Sequence, residues 1–369
     1  INLALSKRGW TALEKVGIDS EVMKIAIPVY KRIMHDEKGV LTNQPYGNDG
    51  ESIYSVSRAQ MNVLMMNLAE KNGAKLHFNE KCIDVDFDQS IVAFENTQTK
   101  KNRKIKSDFI IGADGAFSVV RKQMVSKFQH DYEYNEINHD YKELLIPSGK
   151  NNNYLLDKNA LHIWPRGDFM LMALANLDGS FTCTLFAPKK GSNSFEGLNT
   201  KKEVENYFAS IFPDFKELVP NLYEQWNANP TSSLGIIKTF PWHFKDKAIL
   251  IGDAAHSIHP LAGQGFNLGI RDVAVIAELI VDCYRLGMDI GNSALLEEYE
   301  KRRQFDVLSL IAVTDGLNSL FSNNIEALRI ARDMGLATVN RIPPLKRMFM
   351  KHAMGSTGEL PRLARGLSL

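Results

Sequence analysis

The stretch Ala248–Gly269, AILIGDAAHSIHPLAGQGFNLG, decides how the rest of the chain is read. Ile249, Leu250 and Ile251 form a short continuous apolar run with the texture of a buried strand. Gly252 ends the run, and Asp253 follows at its C-terminal end, where open α/β sheets receive sugar or polyol hydroxyls. Pro260, Gly263, Gln264 and Gly265 then lead into a helical pattern from Phe266 to Tyr284. Glycines at a helix entrance let backbone N–H groups approach a ligand closely, and the helix N-terminus favours negative charge there. Packing alone can produce an ordinary strand–turn–helix corner, but the whole string is a much rarer combination.

A second site of the same kind lies at Asp108–Gly115, DFIIGADG. A buried strand, Phe109–Ile111, delivers Asp114 and Gly115 into a turn, and a helix starts near Ser118. An acid after a strand and beside a glycine suits a ribose, a phosphate-bound water or backbone N–H groups. It equally suits a helix cap, where Asp is favoured.

The 369 residues are 44% apolar, with 44 basic and 43 acidic side chains, enough for one large or two ordinary domains. A near-zero net charge predicts no nucleic-acid partner. The three cysteines, Cys82, Cys183 and Cys283, are far apart and read as reduced, buried thiols of a cytoplasmic protein. No apolar run is long enough to span a bilayer, and no secretory signal is visible. His256 and His259 stand three apart before the helix with no third ligand in view. They read as turn or packing residues, neither metal ligands nor catalysts.

Along the chain, Ser6–Ile27 reads as one or two short helices broken at Gly17. Lys31–Met34 and Val40–Tyr46 read as extended, and Ser55–Lys71 as a helix with Arg58 in its first turn. Short strands are expected at Lys75–Phe78, Cys82–Phe87 and Ile91–Phe94, with Thr97–Lys104 as a hairpin loop. From Phe128 to Leu234 alternating, aromatic-rich segments predict an antiparallel sheet: Tyr132–Ile137, Tyr141–Ile146, Leu161–Trp164, Phe169–Leu174 and Phe181–Phe186. Lys201–Phe212 and Phe215–Leu222 look helical, as does the chain from Asn292 on, with Ala294–Thr314 and Ile325–Val339 clearest.

GDAAHSIHPLAGQG and GADGAFSVVR resemble two flavin motifs of the class A flavoprotein aromatic hydroxylases, the group built like para-hydroxybenzoate hydroxylase. The resemblance implies an α/β fold: an FAD-binding domain of that type, an antiparallel substrate sheet and a helical C-terminus. The flavin domain would comprise residues 1–30, 54–127 and 238–290, the sheet domain 31–53 and 128–237, and the helical region 291–369. Asp253 would bind the FAD ribityl chain, and the N–H groups of Gly263 to Gly265 would face the N1–C2=O edge of the flavin. Reduced flavin carries negative charge at that edge, which a helix N-terminus stabilises by roughly 0.3–1 kcal/mol. Arg58, Asp114, Gly115, Gly252, Pro260, Gln264 and Asn267 complete the implied cofactor set. The cofactors would be FAD and, as co-substrate, NADPH, with O2 and a small aromatic substrate.

INLALSKRGWTALEKVGI, NQPYG, IYSVSR, HDYKEL, LHIWPRGDFML, NLDGSFTCTLF and NPTSSL, between Ile1 and Leu234, resemble the kynurenine 3-monooxygenases more closely. That resemblance implies that Arg32 and Tyr46 grip an amino-acid carboxylate, and that Leu161, Met172, Thr184 and Phe186 line the ring pocket. Arg offers a carboxylate a bidentate fork, and Tyr adds a neutral donor; taken alone, Arg32 would read as a surface ion pair. HPLAGQGFNLGIRDV, YEKRR, SLFSNN and the run ARDMGLATVNRIPPLKRMFMKHAMG, within residues 257–369, resemble instead the ubiquinone-biosynthesis flavin hydroxylases. Both families open with a strand and G-x-G-x-x-G that seats the FAD pyrophosphate. No such string stands at a strand–helix junction here, so the first βαβ unit is expected to be missing. Three readings follow: a kynurenine-type hydroxylase, a ubiquinone-type hydroxylase, and a non-catalytic fragment unable to retain FAD. Near the C-terminus, Arg341, Lys346, Arg347, Lys351, Arg362 and Arg365 surround Leu345, Met348, Phe349 and Met350. They form either a solvated helical face or a weak peripheral contact with an anionic membrane.

Overall fold

In the computed structural model, which describes residues 1–47, 50–128, 130–260 and 263–321, the strand Ala248–Leu250 is fully buried. It pairs in parallel with Ile110–Gly112 and antiparallel with His243–Phe244. Two helices cover this small sheet, Gly265–Arg285 and Ser293–Phe321. The helical stripe Leu268, Ile276, Leu279 and Cys283 closes on Ile249, Leu250 and Tyr299 to form one core. The spacing places these apolar residues on one face, which is why the run folds as a helix.

A second three-stranded sheet, in the order Asn2–Leu5, Ile53–Ser57, Ala26–Val29, packs beside it around Leu5, Trp10, Leu13 and Val56. The helix Lys7–Lys15 leads out of its first strand and lies against Gly265–Arg285. Gly9 makes that approach feasible, since a Cβ there would stand 2.3 Å from Asn267 Oδ1. Gly17, at φ +71°, ends the first helix turn and separates it from Asp19–Met23. A third, exposed sheet pairs Glu80–Asp86, Ile91–Asn96 and Asn102–Lys106.

The largest sheet has eight strands. In spatial order they are His256–Ser257, Thr231–Phe240, Asp131–Ile146, Phe181–Pro188, Phe169–Ala175, Ala160–Arg166, Lys31–His35 and Leu41–Pro45. Its back face carries Leu144, Trp164, Leu171, Cys183 and Leu185, buried under helices Lys201–Ile211, Pro213–Leu218 and Leu222–Ala228. Thr200 and Glu203 start the first of these helices with a reciprocal capping box. Each fully buried Phe of this core, Phe208 and Phe212 among them, contributes up to about 3 kcal/mol by transfer from water.

Several expectations are corrected. The large sheet is not wholly antiparallel: Ala160–Arg166 pairs in parallel with Lys31–His35, because the chain reaches that strand from a distant segment. The two expected strands at 132–137 and 141–146 are one sixteen-residue strand, bent between Glu136 and Asp140. The helix expected from Ser55 begins at Arg58, after the strand Ile53–Ser57, and is capped by Ser57, whose side chain accepts from Gln60 N–H. Asn102–Lys106 is an edge strand, and the hairpin tip is shorter than expected. Lys75–Phe78 is no strand; it finds no ladder partner among the described residues, and Phe78 is 62% exposed. Cys183 and Cys283 are buried free thiols, whereas Cys82 is only half-buried. The helix expected at Ile325–Val339 and the basic cluster beyond Arg341 lie outside the described residues.

Candidate flavin and substrate site

Gly252 has φ +57° and its backbone lies against Gly269, so the turn after the buried strand sits directly on the helix Gly265–Arg285. The positive φ of Gly252 is what asks for glycine there, since a Cβ at either position would make only ordinary contact. Asp253 leaves this turn with an exposed surface. Protein crowded round its carboxyl raises its pKa above the usual carboxylate value; His256 and Arg58 oppose the rise, and Asp272 adds to it. Arg58 and Asp253, remote in sequence, therefore share one electrostatic site.

The next turn is built on Gly263, also at φ +57°, whose N–H donates to the Pro260 carbonyl at 2.9 Å. Leu268 is the first amide bonded back into the helix, to Gln264 O at 3.0 Å. The amides of Gly265, Phe266 and Asn267 before it form the helix N-terminus. A Cβ at Gly265 would meet nothing within 4 Å, so open space adjoins those amides. Gln264 is buried, with its Oε1 accepting from Ser6 Oγ at 3.4 Å. Asn267 is fully buried, and its amide is taken by the chain itself: Oδ1 accepts Ser6 N–H, while Nδ2 donates to Ala4 O and Gly263 O. Its side chain holds the glycine turn to the first strand and is not presented to a ligand.

Asp114 caps a helix, as its residue type allowed. Its carboxylate accepts the N–H groups of Val119 at 2.7 Å and Val120 at 3.2 Å, with Gly115 at φ +77° completing the turn. Arg121, in the first turns of the helix Val119–Lys127, joins this loop to the Asp253 loop. Its guanidinium donates to Ala116 O, to Ala254 O at 2.8 Å and to Asp253 O at 3.4 Å. Beneath Gly252 lies Asp272, fully buried. Its carboxylate accepts from Gly252 N–H at 2.9 Å, His256 Nε2 at 2.8 Å and Arg303 Nε at 2.6 Å. Those contacts and the charges of His256 and Arg303 hold its pKa below the usual value against the effect of burial. His256 is thus a structural donor packed on Trp242, at 5.2 Å between ring centroids.

The residues expected to line a ring pocket come together on the large sheet. Strand register aligns Arg32 with Leu161, Ile163 with Met172, Met172 with Thr184, and Met170 with Phe186. Side chains alternate along a strand, so Arg32, Leu161, Met172, Thr184 and Phe186 share the front face. Tyr46 and Leu161 are buried in one apolar cluster with Val29 and Ile53 of the neighbouring sheet, and Met172 and Ala4 pack against it. The Arg32 guanidinium lies 4.6 Å from the centre of the Tyr46 ring. Burial pushes the Tyr46 phenol up, and the charge and hydrogen bond of Arg32 pull against that.

Reading the sequence missed Arg121 and Asp272. Arg121 stands inside the quoted GADGAFSVVR string. Asp272 is four residues from both Leu268 and Ile276, which puts an acid in a buried helical stripe. That misplaced charge was the available signal.

These features define an FAD site of the two-motif type, and residues 3–309 match the FAD binding domain family; the chain belongs to it. It is similar to kynurenine 3-monooxygenases. The Flavobacterium johnsoniae enzyme is 47% identical over 76% of this chain, and that of Dictyostelium discoideum 46% over 74%. The chain spans 63% and 59% of their respective lengths. Klebsiella pneumoniae HpxO, solved with FAD and uric acid, shares the fold: TM-score 0.73 at 18% identity, over 95% of this chain and 87% of that one. So does 2-methyl-3-hydroxypyridine-5-carboxylic acid oxygenase, at 0.68 and 18%, over 88% and 82%. The ubiquinone-type resemblance of residues 257–369 gains no support from these relatives.

Proposed function

We infer that this protein is an FAD-dependent, NADPH-consuming aromatic-ring monooxygenase acting on kynurenine or a close amino-acid relative. The observation that carries the reading is the grouping of Arg32, Tyr46, Leu161 and Met172 over the strands Asn2–Leu5, Ala26–Val29 and Ile53–Ser57. An apolar sheet face with a guanidinium beside it suits a flat ring bearing a carboxylate. The identity with kynurenine 3-monooxygenases points the same way. Substrate, reaction and co-substrates belong to this reading.

The residues fit the cofactor. Asp253, beside Arg58, offers a carboxylate to the ribityl hydroxyls, and the open space at Gly265 lets the helix amides face an electron-rich flavin edge. Bound FAD, reduced by NADPH, supplies the oxygen-activating chemistry, which the protein itself does not perform. The chain's own part is orientation and exclusion of water. Arg32 and Tyr46 fix the amino-acid end, Leu161 and Met172 hold the ring dry, and Thr184 and Phe186 extend the wall. No side chain is assigned as acid or base, because an aniline or phenol activates its own ring. Flavin-loaded protein should consume NADPH faster with kynurenine and release a hydroxylated ring. FAD retention without any kynurenine-dependent NADPH consumption would refute the substrate assignment.

A further inference from the structure

The strands Lys31–His35 and Ala160–Arg166 carry Arg32 and Leu161 on the front of the large sheet. Behind them, His35 and His162 are both buried, and one line of contacts uses all four of their ring nitrogens. Asp214 Oδ2 lies 3.0 Å from His35 Nδ1, and His35 Nε2 lies 2.9 Å from His162 Nδ1. His162 Nε2 then lies 3.0 Å from the Asp157 carbonyl oxygen. An ionised carboxylate and a carbonyl can only accept, so each end of the line requires a ring N–H. The central contact requires a third. Two neutral imidazoles carry one N–H each, so the completed line holds one proton more than a neutral pair. Trp164 serves the same end: its Nε1 donates to Asp214 Oδ2 at 2.7 Å, and its ring stacks on that of His35 at 4.0 Å between centroids. A carboxylate and an indole face both favour an imidazolium.

We propose that His35 and His162 are a one-proton clamp: a single shared proton completes the line from Asp214 to Asp157, ties the two strands from behind, and so positions Arg32 for the substrate carboxylate. Without that proton one contact is unmade. Either the lone pairs of His35 Nε2 and His162 Nδ1 face each other across the strand junction, or His162 Nε2 turns a lone pair to the Asp157 carbonyl. Asp157 is itself tied to Lys31 at 2.8 Å, one residue before Arg32, so either loss loosens the strand that carries Arg32. Burial acts first on both rings, taking His35 below its ordinary value and His162 to about 4. Asp214 and Asp157 favour the proton; Arg166, near Asp36 and Glu37, and Lys31 oppose it. The first proton therefore enters below 6.5 and the second only near 4. The link to a carboxylate rests on the proposed function; the proton count does not.

The test follows the ring nitrogens of the full chain by long-range 1H–15N NMR as pH falls from about 7.5 to about 4.5. The two rings are assigned among the nine histidines by His35→Gln and His162→Asn. One proton should enter at a midpoint common to both rings, taking their N–H groups from two to three before the second proton follows. Two N–H groups throughout, three throughout, or separate midpoints for that first proton would each overturn the clamp. The Arg32 Nε–H resonance, read without substrate and assigned by Arg32→Lys, should move at the same midpoint. KM for kynurenine should be about three- to tenfold higher above it, with no matching step in kcat. His162→Asn sets an amide N–H near the place of Nδ1–H and makes the central contact without the extra proton. It should remove both steps, as should His35→Gln. An Arg32 resonance that ignores the midpoint, or steps that survive both variants, would overturn the coupling. A chain that turns over no kynurenine at any pH would instead overturn the substrate reading, and the Arg32 resonance would still decide the clamp.

Discussion

Single residues carry the flavin turns, and two of them make sharp predictions. In the proposed site, Asp253→Ala removes the charged acceptor offered to the ribityl hydroxyls. It should cost about 1.5–3 kcal/mol, or ten- to a hundredfold in FAD affinity by equilibrium titration. Unchanged affinity would remove Asp253 from the site. Asp272 acts beneath it, through the Gly252 N–H and the buried Arg303. Asp272→Ala leaves the buried Arg303 with Asp306 as its remaining carboxylate and takes the acceptor from Gly252 N–H and His256, so urea unfolding should show a loss of about 2–3 kcal/mol. Replacing both with apolar residues, Asp272→Leu with Arg303→Met, should recover much of that loss; a double variant as unstable as the single one contradicts the ion-pair account. Asp253 was legible because it ends a strand beside a glycine. The roles of Asp272 and Arg121 were not, since their partners lie 31 and 132 residues away along the chain.

At the scale of elements, periodicity read well wherever one face is buried. The alternating runs at Ala160–Arg166, Phe169–Ala175 and Phe181–Pro188 are strands, and the stripe after Gly265 is a helix. Four-residue strands such as Asn2–Leu5 and Ala26–Val29 are too short to show a period, and they escaped notice. The apolar residues of Ile53–Ser57 also fit helical spacing, which blurred the start of the helix at Arg58. The parallel junction of Lys31–His35 with Ala160–Arg166 has a testable glue on its back face. His35 Nε2 meets His162 Nδ1 at 2.9 Å, and His35 Nδ1 meets Asp214 Oδ2 at 3.0 Å. The Asp157 carbonyl accepts from His162 Nε2. Burial pulls His162 from 6.5 to about 4 and draws His35 down as well, though Asp214 opposes the latter. The unfolded chain takes up the His162 proton near 6.5 and the folded chain only near 4. Stability is therefore complete above that window and falls as pH drops through it, by up to about 3 kcal/mol. Urea unfolding at pH 7.5 and 4.5 should show this difference, and His162→Gln should shrink it. An identical pH dependence in the variant would contradict the assignment.

For the whole molecule, the proposed function divides labour between a flavin-holding core around Ala248–Leu250 and a sheet whose front face would read the substrate. Among the described residues no helix is long and apolar enough to cross a membrane. The two surfaces meet where Ala4, Val29 and Ile53 pack with Tyr46 and Leu161. Arg32 stands at that junction, and the substrate reading turns on it. On that reading, Arg32→Ala in flavin-loaded protein removes a charge-assisted contact between the guanidinium and the substrate carboxylate. kcat/KM for kynurenine should fall by about 2–4 kcal/mol, mainly through KM, and Arg32→Lys should restore only part of it. The most direct measurement is therefore kcat/KM of wild type and Arg32→Ala with kynurenine and with its carboxylate-free analogue. A large loss for kynurenine alone is the predicted result; equal losses for both substrates, or none for either, would contradict the account.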